Sequence, residues 1–383
     1  VWFPWVVYRR NPITAGNIRL GWVLATRIGR VRLDGPARRE AISLDPPGKA
    51  IGDPHGLDLT NDERHLVVSA SGTHELLVLR TTDLPFQDYG GTDHIDKTLL
   101  DNPKRFARIE LGGRPMGLRI GHDDRFVFVA NYLNNSVQVV DLHQRKLTRS
   151  IALGGPLDLE PDLVRRGEAI FHDARRSLDQ WYSCHTCHYD GGGNAVAMDT
   201  WNDESSFTFK TVLPLYHVTD TSPWTWHGWQ DDLEAAMRKS LTSTMLGKPP
   251  NPTDVEALIA YLTSLRSPPN PFRRADGSLT AQAQRGKRVF ESKQANCSSC
   301  HTGPLLTDGE VHDVGTGTSR DRRNGYNTPS LLGVYRKVEF LHDGRAKSLR
   351  DLLRGPHRPS LVSGTAEFDD RQLGDLIEYL RSR

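Results

Sequence analysis

Cys184-His185-Thr186-Cys187-His188 and Cys297-Ser298-Ser299-Cys300-His301 decide the reading of this chain, and between them they use all four of its cysteines. Both are C-x-x-C-H, the attachment pattern of a c-type haem: two thiols on one turn add to the vinyl groups, and the adjacent histidine reaches the iron. Cys184, Cys187, Cys297 and Cys300 are therefore the expected covalent anchors, with His188 and His301 as proximal ligands. Two zinc knuckles would also place cysteines in pairs, but nothing in a zinc site demands histidine directly after both second cysteines. A disulfide reading is weaker still.

The composition is that of an ordinary globular chain of 383 residues, with 49 Lys and Arg against 47 Asp and Glu. A formal net charge of +2 points to no nucleic acid and no anionic membrane surface. No apolar run approaches the roughly 20 residues that span a bilayer. Haem attachment to C-x-x-C-H normally follows export, so a periplasmic or otherwise exported protein is expected, and a chain opening on Val1 reads as a trimmed or partial mature form.

Working outward from the two motifs, matching landmarks recur in the same order, the mark of a repeated unit. Arg166-Gly167-Glu168-Ala169-Ile170-Phe171 opens the first copy and Arg285-Gly286-Lys287-Arg288-Val289-Phe290 the second. Leu258-Ile259-Ala260-Tyr261-Leu262 closes the first and Leu376-Ile377-Glu378-Tyr379-Leu380 the second, each with apolar residues at helical spacing. A glycine on the opening helix lets the closing helix approach, which predicts two mainly α-helical cytochrome c domains, at 157–270 and 271–383. Ser267-Pro268-Pro269-Asn270-Pro271 cannot continue a helix and reads as the linker. Midway, Thr225-Trp226-His227-Gly228 aligns without a gap on Leu341-His342-Asp343-Gly344.

Asn327-Thr328-Pro329-Ser330-Leu331-Leu332-Gly333, followed by Phe340-Leu341-His342-Asp343-Gly344-Arg345 and Ser348-Leu349, resembles the second-domain signature of the bacterial di-haem cytochrome c peroxidases and the related MauG enzymes. The resemblance implies a redox protein in which haem 2 takes electrons from a small redox protein or another donor, while haem 1 meets peroxide or another small oxidant. It places Trp226 where the family carries a tryptophan between the haems. A calcium ion is possible, with no assignable site. Two departures stand out. Where the peroxidases carry an acid that helps cleave the O–O bond, this chain reads Leu241-Thr242-Ser243-Thr244-Met245-Leu246, and where they bind the second iron through methionine it reads Asn324-Gly325-Tyr326-Asn327. Tyr326 is a candidate ligand because MauG-type proteins can use tyrosine. A pure electron-transfer cytochrome is the competing expectation.

Of the 15 histidines, His217 and His227 lie in the segment expected to fold over haem 1, each a candidate distal ligand or acid–base group. His342 is a candidate ligand or a partner for a haem propionate, and Arg345 a propionate partner through paired hydrogen bonds. His185, inside the attachment loop, reads as solvent-exposed. For each of these, ordinary packing or surface placement is the bland alternative.

Upstream, residues 1–156 read as β-propeller-like blades. His65-Leu66-Val67-Val68-Ser69 and Glu75-Leu76-Leu77-Val78-Leu79 follow Pro54-His55-Gly56-Leu57, and the plan returns at Pro115-Met116-Gly117-Leu118, Phe126 to Asn131 and Ser136 to Asp141. Short β-branched strands joined by Asn, Asp and Gly turns indicate blades. Val129-Ala130-Asn131 resembles the core of the YVTN repeat, and Trp22-Val23-Leu24-Ala25 is a candidate strand of a further blade. Since a propeller closes with four or more blades, these either complete one encoded upstream or pack on the haem domains. His55 reads as a loop histidine.

Overall fold

The computed structural model describes residues 1–36, 38–88, 93–154, 162–201, 205–323 and 325–383, with the backbone alone at 87 and 88. The expected boundary between residues 156 and 157 lies outside these. By their contacts the residues group into two compact units, Val1–Cys187 with Met237–Tyr261, and His188–Ala236 with Leu262–Arg383.

The first unit holds three four-stranded antiparallel sheets. The strands are β1 (Trp2–Tyr8), β2 (Leu24–Val31), β3 (Arg39–Ser43), β4 (Pro54–Leu59), β5 (His65–Ala70), β6 (Glu75–Arg80), β7 (Gln87–Asp88), β8 (Phe106–Glu110), β9 (Pro115–Ile120), β10 (Phe126–Asn131), β11 (Ser136–Asp141) and β12 (Lys146–Ala152). Their orders are β1-β2-β3-β7, β4-β5-β6-β8 and β12-β11-β10-β9. The middle sheet is covered on both faces. Leu66, Val68 and Leu77 join a core with Ile28, Ile42 and Leu44 of the first sheet, whereas Val67, Leu76 and Val78 join Val127, Val129 and Val140 of the third. This explains the sequence: side chains alternate across a strand, so a sheet buried twice reads as a continuous apolar run, while β10, with Phe128 exposed, alternates. The asparagine of Val129-Ala130-Asn131 is buried; its side chain accepts from Arg114 N at 2.9 Å and donates to Gly112 O and Gln138 Oε1.

Helix α1 (Leu163–Phe171) opens the first haem segment, capped by the Asp162 side chain, and α2 (Cys184–Cys187) carries the first two cysteines. There follow α3 (Leu233–Lys239), α4 (Pro252–Ser264), α5 (Ala281–Phe290), α6 (Leu349–Arg354), α7 (Pro359–Val362) and α8 (Asp370–Arg381). The two copies cross their opening and closing helices alike. A Cβ placed on Gly167 would stand 1.9 Å from Ala257 O and 2.7 Å from Tyr261 Cβ; one on Gly286 would stand 1.9 Å from Asp375 O and 2.8 Å from Tyr379 Cβ. Glycine alone permits this approach. Beside each crossing an aromatic pair packs at the same spacing, Phe171 on Tyr261 and Phe290 on Tyr379, both with centroids 5.2 Å apart.

Candidate haem sites and the cluster around Trp226

In the first unit, burial pushes the Cys184 and Cys187 thiols up to about 12, so neither is a thiolate at neutral pH. The loop that carries them is clamped by the sheets. Asp53 accepts hydrogen bonds from Ser183 Oγ and Thr186 Oγ1, both at 2.6 Å, and Tyr8 Oη donates to Thr186 O at 2.8 Å. Because of this cover His185, expected in solvent, is buried and packs on His172 with centroids 4.8 Å apart. The stretch without a carboxylate forms a π-type turn, Ser240–Thr244, followed by the buried Met245. Met245 Sδ lies 3.9 Å from Cys184 Sγ, and Tyr182 Oη donates to Thr244 O. A thioether and a buried phenol thus stand where the resemblance would put an acid.

The second unit holds both histidines expected as proximal ligands, His188 and His301. His188 Nδ1 lies 3.1 Å from Leu213 O, and His301 Nδ1 3.1 Å from Leu306 O. Such a bond fixes the tautomer with the proton on Nδ1 and leaves Nε2 as the lone-pair donor, the arrangement of a metal-binding imidazole. Burial pushes His188 down to about 4, so its ring is neutral at pH 7, and burial likewise lowers His301. Burial also drives Cys297 up to about 12. Donor atoms, tautomers and glycine-permitted helix crossings all fit haem attachment. Cys300, Asp308 and His312 gather their ligand atoms within 4.8 Å, but Cys300 belongs to the attachment motif, so this group is part of the same surroundings.

Trp226 is tied to both histidine anchors through the same unit. Its Nε1 donates to Thr211 O at 2.7 Å, two residues from the Leu213 carbonyl that holds His188. Its own carbonyl accepts from Asn327 N at 2.9 Å. The next residue, Thr328, accepts through its carbonyl from Thr307 Oγ1 at 2.6 Å, and Thr307 adjoins the Leu306 carbonyl that holds His301. Lys337 Nζ lies 5.5 Å from the indole centroid, its pKa brought down by burial to about 8. It also borders a cavity of about 110 Å³ lined by Tyr189, Thr211, Tyr216 and Arg336.

Three further candidates meet beside Trp226. Tyr326 stacks on His342 with centroids 4.2 Å apart and planes inclined by 15°, and Tyr326 Oη lies 3.1 Å from His342 Nε2 and 2.9 Å from Asp321 Oδ2. Burial opposes the charge on Asp321, yet Lys210 and Thr318 hold it well below the usual carboxylate range. Burial and then Asp321 raise the Tyr326 phenol, and burial pushes His342 down to about 4. His227 packs on Tyr326 at 4.9 Å, with Nδ1 on Gly325 O and Nε2 buried without a partner among the described residues. His217 stands apart, left-handed at φ 60, its carbonyl accepting from Thr221 Oγ1. Arg345 pairs with Asp343 and Thr316 O. Sequence reasoning missed Asp53 and Lys337, each brought in from a distant segment with no motif around it.

The chain is 28% identical over 275 residues to the gamma subunit of hydrazine synthase from Kuenenia stuttgartiensis, covering 58% of this chain and 77% of the relative. It is 26% identical over 285 residues to the methylamine utilization protein MauG of Methylorubrum extorquens, covering 58% and 78%. A cytochrome-c peroxidase, IdrP2, of Denitromonas iodatirespirans is 28% identical over 209 residues, 45% of this chain and 57% of that one. Among solved structures, Kuenenia stuttgartiensis hydrazine synthase matches with a TM-score of 0.52 at 25% identity, over 60% of this chain and 89% of the other. No protein-family model matches. No helix among the described residues is long and apolar enough to cross a membrane.

Proposed function

We propose that this chain, a relative of the bacterial di-haem cytochrome c peroxidases and MauG, is an exported redox protein with two covalently attached c-type haems. One haem belongs to each of two cytochrome c domains, 157–270 and 271–383, behind propeller-like blades at 1–156. The observation that carries the reading is the repeated construction: two glycine-permitted helix crossings with equal approach, each in sequence with a C-x-x-C-H whose histidine has Nδ1 tied to a carbonyl.

Haem iron supplies one-electron transfer and, where a coordination position is open, a place for a small ligand. Cys297, Cys300 and His301 would hold the haem that takes electrons from a small redox protein or other donor, and Cys184, Cys187 and His188 the haem at which peroxide or another small oxidant would be met. Trp226 provides the path, by its hydrogen-bonded links toward Leu213 and Thr328. The Lys337 ammonium over its ring opposes positive charge there, so the indole serves as a tunnelling bridge and not as a resting place for an oxidising equivalent. His227, with Nε2 buried and without a partner among the described residues, is the group suited to hold a proton near the Trp226 cluster.

The stretch Leu241 to Leu246, which offers no carboxylate, favours a second reading, in which both irons are closed and the chain only transfers electrons. Carbon monoxide separates the two. The reduced holoprotein is expected to bind one equivalent, at haem 1, and His188→Ala, which disturbs haem 1, to change that signal. No binding would move the assignment to electron transfer.

A further inference from the structure

Haem 2 has its proximal ligand in His301, and the two residues first considered for its opposite face are engaged with each other. Tyr326 Oη shares its hydrogen bonds between His342 Nε2 and Asp321, and its raised phenol disfavours the tyrosinate that would bind iron. Another imidazole lies close by. Leu349 and Leu353 of α6 belong to the core that contains Phe290 and Leu306, against which Cys297 and Leu331 pack. Since Leu306 also holds His301, the chain leaving α6 emerges beside the second attachment site.

That exit is Arg354-Gly355-Pro356-His357-Arg358-Pro359. Its bend is fixed: His357 N donates to Leu352 O at 3.0 Å, Arg358 N donates to Gly355 O at 3.3 Å, and Pro359 starts α7. A Cβ on Gly355 would meet Asp351 O at 2.6 Å, so the turn requires glycine. His357 Nδ1 is buried with no partner among the described residues. Leaving such an atom unmade costs about 1–3 kcal/mol, unlike the Nδ1 atoms of His188 and His301, which are both satisfied.

We infer that His357, through its buried Nδ1, is the sixth ligand of haem 2, so that this iron is held between two imidazoles, His301 and His357. The inference rests on the two-haem reading above. The His357 ring lies within electrostatic reach of His301. Histidine on both faces closes haem 2 to small ligands and gives it a lower potential than a histidine–methionine pair would.

The test uses the full-length holoprotein, with haem content measured first. Ferric wild type should show haem 2 as a low-spin centre with the resonances of bis-imidazole ligation. In His357→Ala that signal should be lost to a high-spin one, the reduced form should bind one more carbon monoxide per chain, and added imidazole should restore the low-spin signal. His357→Met should keep a low-spin centre, gain the near-infrared band of sulfur-ligated iron and titrate at higher potential. Two haems with unchanged resonances and carbon monoxide stoichiometry in His357→Ala would overturn the ligand assignment alone; a wild type without haem would overturn the two-haem reading with it.

Discussion

Replacing Gly286 by alanine is expected to unfold the second haem segment at a temperature well below that of wild type, and Gly167→Ala to do the same to the first. The added methyl carbon would sit 1.9 Å from a backbone oxygen of the crossing helix in either case, Asp375 O or Ala257 O. No rotamer can relieve that overlap, so the helices must part. Overpacking a core typically costs about 1–3 kcal/mol and occasionally more; here the whole interface of α5 with α8 is displaced, so a loss at or above ~3 kcal/mol is expected. Gly374 is the control. It lies inside α8, where a Cβ would approach only Gln282 Nε2, at 3.9 Å, and alanine there should be neutral or stabilising by up to about 1 kcal/mol through helix propensity. Thermal unfolding of the three variants followed by far-ultraviolet dichroism checks this, and equal melting of Gly286→Ala and Gly374→Ala would remove the close crossing from the account.

Trp226→Phe is expected to slow electron transfer between the haems by about tenfold or more, equivalent to ~1.4 kcal/mol on the barrier. Phenylalanine keeps an aromatic ring, smaller than the indole, but loses the Nε1 bond to Thr211 O, and with it the link toward the carbonyl that holds His188. The link through the Trp226 carbonyl to Asn327 N is retained, so the anchor of His301 should be undisturbed and both haem spectra nearly unchanged. Rapid mixing of half-reduced protein gives the rate. An unchanged rate would leave Trp226 as a packing residue.

The parts of this molecule that were legible in the sequence are those fixed by local spacing. A C-x-x-C-H puts its chemistry on one turn, and Arg-Gly with an aromatic residue one turn on, matched by a later Leu-Ile-x-Tyr-Leu, prescribes a helix crossing. In the middle and third sheets β5, β6, β10 and β11 were legible for the same reason, as runs bounded by turn residues, whereas β8 and β12, and β3 of the first sheet, were not read. β1 and β7 were not read, and β2 begins at Leu24 because Gly21, at φ 68, and the residue after it turn the chain first. What stayed hidden depends on contacts between distant segments. Asp53 reaches Ser183 and Thr186 across about 130 positions, Lys337 reaches Trp226, and His185 is buried with its ring on His172. Tyr326, His342 and His227 were each picked out as candidates, but their stacking on one another, with Asp321 behind them, has no signature in spacing.

Two covalently bound haems per chain are tested most directly by the intact mass of the acid-denatured holoprotein, made in a host that matures c-type cytochromes, together with its alkaline pyridine spectrum. A mass increase of two haems that survives denaturation is expected, falling to one when Cys184 and Cys187 are both changed to alanine, and to one again when Cys297 and Cys300 are. Zinc without iron, or haem that extracts completely into acidified solvent, would contradict it.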